Sequence, residues 1–271
     1  MKINSTPQEE IDLKRRRTSA LPFVALGGTW LAGTAQAQSN AAAGIVERLV
    51  GSVNAGADTS SMRSLRQGAS VAEGELIQTG ESSEVVLKMS DGAVIALRPR
   101  SAMRLQNYVF ASQQPSQNQV WLQLIQGGLR AITGLIGKTS PQQVRFTTAT
   151  ATIGIRGTDF EIEQIEAGNT QANEGTYLKV REGETSLTNS QGSSVVVLAN
   201  QTAFSPQNLL ATANAFGLLN NVPPVFRVGS FDNLLTNLQN EGIQRLQQEI
   251  NRRLPGQLQQ VVPGLRNLFN R

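Results

Sequence analysis

The chain has 271 residues, enough to fill a sizeable core, and contains neither cysteine nor histidine. Those absences remove disulfides, the thiolate nucleophile, the commonest general base and the usual zinc ligands, and so exclude most hydrolase triads and transition-metal centres. The formal net charge of +4 is concentrated at the ends, with +2 over residues 1–37, +3 from Arg227 onward and −1 between them; no basic face set with aromatics stands out, which argues against a nucleic-acid partner.

The N-terminus reads as an export signal. "KRRR" at 14–17 precedes the apolar run "ALPFVALGGTWLA", and Ala35-Gln36-Ala37 places small residues where a signal peptidase reads. We expect residues 1–37 to be a signal peptide cleaved after Ala37. The alternative, a retained anchor, needs a longer run than the roughly 14 apolar residues here, since a span takes about 20. The mature chain is therefore expected to be periplasmic, secreted or at the cell surface, with no stable membrane span.

From Gly44 to Ala199 short strands alternate with turn signals: "GIVERLVGSV", a polar loop, then "ELIQT", "EVVLKM", "AVIALR", "AMRLQNYVF" and further runs to "SVVVLA". Ser90-Asp91-Gly92 reads as a hairpin turn, and the Gln-rich stretch 111–119 as a surface loop. The pattern predicts an all-β fold, a multi-stranded β-roll, sandwich or short β-solenoid. "GLIGKTS", 134–140, has the ending of a phosphate-binding loop but Ile132 where its first glycine belongs, so Lys138-Thr139-Ser140 reads as a polar turn.

After Asn200 the period lengthens. Over 201–225 we expect a short helix and a proline-containing linker, with Ser205-Pro206 as its start and Leu209, Leu210, Ala213 and Phe216 on one side. Over 226–271 we expect an amphipathic helical tail, in which Phe231, Leu234, Leu235, Leu238, Leu246 and Ile250 recur at three- and four-residue steps. Such a tail either covers an edge or open end of the β body or docks a partner, including a second copy of the chain.

The stretch "TATATIGIRGTDFEIE", 148–163, is the most patterned. As a strand it sets Ala149, Ala151, Ile153 and Ile155 on a buried face and Thr148, Thr150, Thr152, Gly154 and Arg156 on the other. Gly157 then permits a turn or bulge, Phe160 and Ile162 return to the core, and Asp159, Glu161 and Glu163 face out. Arg156 is expected to clamp Asp159 or nearby carbonyls. The three carboxylates are the candidates for a histidine-free carbohydrate-active enzyme, but a spacing of two marks the wet side of a strand. We therefore assign no catalytic, cofactor-binding or metal-binding residue.

At Ile155-Arg156-Gly157-Thr158-Asp159-Phe160 the sequence resembles the FecR domain family. The likeness extends through Gly68, Gly74, Thr79-Gly80, Asp91-Gly92, Gly127-Gly128-Leu129-Arg130 and Glu182-Gly183, defining a β domain over 43–200. The resemblance implies the envelope-side module of iron-siderophore anti-sigma regulators, with the motif residues in a structural role. The roughly 17 residues before the apolar run are too few for a sigma-binding domain, so the expected function is an extracytoplasmic, non-enzymatic binding or sensing module. Its expected partner is an envelope protein, a polysaccharide or peptidoglycan. A self-associating envelope scaffold, joined through the C-terminal helix, is the alternative; a carboxylate-based carbohydrate-active enzyme is a second.

Overall fold

The computed structural model describes residues 42–169, 172–208 and 216–253. The expected signal peptide, its cleavage point at Ala37, the tail beyond 253 and the expected helical positions Leu209, Leu210 and Ala213 lie outside the described residues. All described residues belong to one compact unit, Asn40–Arg271.

Strands follow one another in short steps: β1 (Ala42–Val50), β2 (Val53–Gly56), β3 (Arg63–Ser64), β4 (Ser70–Ala72), β5 (Leu76–Thr79), β6 (Glu84–Met89), β7 (Val94–Leu97) and β8 (Ala102–Val109). A long β9 (Gln119–Ile132) leads into the one-turn helix α1 (Leu135–Thr139), then β10 (Val144–Thr147). Two more long strands, β11 (Ala151–Ile165) and β12 (Gly175–Asn189), precede β13 (Ser194–Leu198), β14 (Thr202–Pro206), β15 (Gly217–Leu219) and the helix α2 (Asp232–Arg253). The strands form one mixed sheet. Among the described residues β9–β10 is the one parallel pairing, and the antiparallel rest is a roll rather than the parallel rungs of a solenoid.

The three long strands hold the roll together because each serves two stretches of sheet. The C-terminal half of β9 pairs with β7 and with the C-terminal half of β11, whereas its N-terminal half pairs with β8 and β10. Likewise β12 meets β14 through 175–179 and β13 through 184–188. The sheet thus folds over on itself as two walls around one core of Val, Ile, Leu and Phe side chains. Phe146 of β10 meets Phe160 of β11 edge to face inside it, ring centroids 5.0 Å apart, and Ile153, Ile155 and Ile162 are buried alongside.

Three sequence expectations change. Ser205-Pro206 does not start a helix: Ser205 is wholly buried in β14, where its hydroxyl donates to the Thr150 carbonyl at 3.0 Å and the Thr150 hydroxyl donates back to the Ser205 carbonyl at 3.1 Å. Proline is tolerated there because it is the last residue of the strand, and Gly217–Leu219 extends the sheet rather than ending a helix. Lys138 and Thr139 belong to α1 instead of a turn, since Leu135 and Ile136 are buried and pull the segment into a helical turn. The strand expected from Thr148 begins at Ala151, and Ala149 is exposed in the turn between β10 and β11.

The helix α2 covers a sheet face rather than an edge. On the wall formed by β6, β7 and β9, the side away from the core carries Val86, Val94, Ala96 and Ile132, and an apolar patch so placed must be shielded from water. Leu235 and Leu238 in the first two turns of α2 bury against it, with Phe231 and Leu234 alongside.

Candidate functional site

The family-like motif sits at the corner where β11 passes from one wall to the other. Register slips between Arg156 and Phe160, the signature of a β-bulge. Gly157 has φ +63° and Gly183, on the facing strand, has φ +80°. At Gly183 a side chain is also excluded by space, because a Cβ would come within 2.5 Å of the Gly157 carbonyl oxygen. Thr158 is fastened by Thr133, whose hydroxyl accepts the Thr158 amide at 2.8 Å while its own amide donates to the Thr158 carbonyl at 3.0 Å. A polar groove of about 600 Å³ runs along this corner, lined by Lys138, Arg156, Gly157, Thr158, Asp159 and Glu182 among others. Burial lowers the Lys138 ammonium pKa, and the charge of Glu182 works against that shift.

Arg156 does not clamp Asp159. Its side chain is 76% exposed, and its nearest carboxylate is the cross-strand neighbour Glu184 at 3.9 Å. The bulge is the cause: it turns Asp159 to the side covered by α2 while Arg156 remains on the outer surface of the other wall. Asp159 is gripped instead by Arg130 of β9, whose Nε donates to Oδ1 at 2.9 Å and Nη2 to Oδ2 at 2.6 Å. That two-point fork fixes both groups in one plane.

Asp159 and Glu161 do face away from the apolar core, but the surface they face is closed rather than wet. Glu161, 4% exposed, accepts from Lys179 Nζ at 3.1 Å and from Arg181 Nη1 at 3.0 Å, both on β12, with Arg98 at 3.7 Å. Arg98 follows β7 and donates to Asp232 Oδ1 at 2.8 Å, and Arg130 donates through Nη1 to the Asp232 carbonyl at 2.9 Å. Asp232, the first residue of α2, also accepts the Gly229 amide at 3.0 Å. Burial raises the Asp232 carboxyl, but Arg98, the Gly229 amide and Arg130 together hold it below its ordinary value. Glu84 completes the closure by accepting the Ser230 amide at 2.9 Å. Gly229 is a steric requirement of the lock, since a Cβ there would overlap the Arg98 guanidinium.

Glu163 differs from its two neighbours. Its side chain lies across Gly128 of β9 and forms no hydrogen bond or ion pair among the described residues. Burial pushes its carboxyl up to about 8; Arg98 and Arg227 oppose that rise and Glu161 adds to it. It opens onto a second cleft, of about 700 Å³, bounded by Arg98, Arg100 and the segment Pro224–Val228.

The cluster therefore joins the carboxylates of the patterned stretch to residues that the sequence reading left without a role. Arg130 stood within the matched segment, but Arg98, Lys179, Arg181 and Asp232 carried no signal beyond polarity at strand and helix ends. Asp91, read as a hairpin residue, turns inward as well: its carboxylate accepts from the Tyr108 hydroxyl and from the Ala93 amide, and burial raises its pKa. Among the described residues no group of His, Cys, Asp or Glu is placed to hold a metal ion.

One comparison with known proteins falls on this region. Residues 75–186 match the model described as FecR protein, which takes in β5 to β12 and every residue of the corner motif. No curated protein matches the chain. Two crystal structures, at 1.65 and 2.50 Å, of an anti-sigma-factor candidate from Parabacteroides distasonis ATCC 8503 align at 16% identity with a TM-score of 0.38, covering 53% of this chain. The chain spans 57% of the length of those structures. The bulged corner and the arginine-braced sheet both lie within residues 75–186, the segment that matches the FecR family model.

Proposed function

We propose that this chain is an extracytoplasmic, non-enzymatic module of FecR type that binds an envelope protein or polymer and reports on it. The observation that carries this reading is the FecR domain itself, a family of envelope regulators, together with the state of its carboxylates. Asp159 and Glu161 are each committed to two or more basic side chains, so neither is available as the acid or base of glycoside cleavage, and this favours a binding role over the carbohydrate-active reading. The corner groove, with Lys138, Arg156 and Glu182 along it, is the proposed contact surface. Among the described residues no helix is long and apolar enough to cross a membrane.

The test is photo-crosslinking in cells from positions 138 and 156, with the exposed Arg48 position as control, followed by fractionation and mass spectrometry. An envelope protein or cell-wall fragment joined from the groove positions and not from 48 supports the proposal. Recovery of the protein from the cytoplasm, or crosslinks to cytoplasmic proteins alone, overturns it. Crosslinks between copies of the chain would establish the scaffold reading in its place.

A further inference from the structure

The second cleft has features that a merely structural charge cluster lacks. Of the acidic groups facing it, Glu81 is paired with Arg100 at 3.1 Å at the rim and Glu84 holds the Ser230 amide, while Arg98 is held by Asp232. That leaves Glu163 in the floor and Arg227 in the overhanging segment, neither with an ion-pair partner among the described residues. Arg98, Glu163 and Arg227 all line the same cleft; Arg98 acts on the Glu163 charge more strongly than Arg227 does, and neither arginine forms an ion pair with it. Glu163 is half-buried in this cleft, where a carboxyl held mostly neutral by its surroundings can ionise against a ligand cation. The cleft volume of about 700 Å³ is in the range of small-molecule sites.

We propose that this cleft binds a zwitterion of the amino-acid or short-peptide class, with its ammonium group on Glu163 and its carboxylate on Arg227. The groups match the ligand in order, a carboxyl that ionises as the ammonium binds and a guanidinium for the carboxylate, and neither has an ion-pair partner among the described residues. The site is independent of the corner groove, so its failure would leave the proposed envelope contact standing.

Proton linkage gives the proposal a signature. With its carboxyl at about 8, Glu163 is largely protonated at neutral pH, and an ammonium group binds the ionised form. Each ligand bound near pH 7 should therefore release close to one proton, and affinity should rise by up to about tenfold between pH 6 and pH 7. Calorimetry with alanyl-alanine as probe, in two buffers of different ionisation enthalpy, reads both quantities. N-acetylation of the probe should weaken binding at least about tenfold, as should Glu163→Gln, and Arg227→Ala should abolish the preference for alanyl-alanine over its C-terminal amide. Glu163→Gln is close to the protonated group in shape and charge and leaves the fold intact, and a melting curve checks this. Absence of binding at about 10 mM probe, which is weaker than any useful site, would overturn the assignment. Binding without proton release, or binding indifferent to Glu163→Gln, would do the same.

Discussion

At the scale of single residues, charge partners matter more than charge. Removing one member of a buried pair strands the other, at a cost of about 3–5 kcal/mol, whereas an exposed pair contributes about 1 kcal/mol or less. Asp159→Ala, which takes from the buried Arg130 its two-point partner and leaves Asp232 as its nearest carboxylate, should therefore lower stability in chemical denaturation by more than loss of an exposed pair does. Arg156→Ala, which removes only the outer contact to Glu184, should change it by less than about 1 kcal/mol. A large loss in the second variant would show that Arg156 has a structural duty its exposure does not reveal. Glu163 supplies a test in pH. The unfolded chain releases this proton near the ordinary 4.5, and the folded chain holds it until about 8. Within that window the folded state binds more protons, so its contribution is complete below 4.5 and is lost as the pH rises through 8. Melting temperatures measured from pH 5 to 9 should fall, and Glu163→Gln should flatten the decline.

At the scale of elements, α2 is docked by its first two turns, through an apolar pair and an ionic lock. Leu235→Ala should cost about 2–4 kcal/mol, because its side chain is fully enclosed against Val86, Val94 and Ile132. The lock answers to acid in the opposite sense from Glu163. The Asp232 carboxyl lies below its ordinary 3.8 in the folded chain, so the stability it contributes is present above that value and is lost as the pH falls beneath it. Amide protection over 232–238 should drop below about pH 4. Asp232→Asn should show the weakened protection already at pH 6. Unchanged protection in that variant would mean that the leucines alone hold the helix.

The same scale shows what the sequence disclosed. Short alternating runs sufficed for the strands, and Ile153, Ile155 and Phe160 fell on the core side because a period of two fixes the face once the bulge at Gly157 is allowed for. The helix beginning at Asp232 was visible in its leucine spacing. The covered polar face was not, since alternation separates core from non-core but says nothing of whether the non-core side meets water or another layer. Arg130 and Asp159 are 29 residues apart, and Arg98 and Asp232 are 134 apart, so no local pattern pairs them. Ser205-Pro206 misled because its capping chemistry also suits a strand end when the serine hydroxyl has a partner at Thr150 across the fold.

At the scale of the whole molecule, the two walls are continuous with each other, and β11 with β12 forms a ladder from Ala151–Asn189 to Ile165–Gly175 interrupted only at the corner. Gly183→Ala strains a left-handed backbone position and crowds the Gly157 carbonyl, and should cost about 1–3 kcal/mol or more. Because both walls share those strands, the loss should appear in calorimetry as one sharp transition at lower temperature; two separate transitions would show that the walls unfold apart. The elbow at Gly157 and Gly183 divides this ladder into two arms, and a hydroxyl cluster ties them together: Thr150, just before β11, meets Thr176 and Ser205, which belong to the same arm as the arginine-braced carboxylates. Opening that elbow would therefore work against the hydroxyl tie as well as the ladder, and its strain would fall on the arm that carries Asp159 and the Arg130 fork beneath α2.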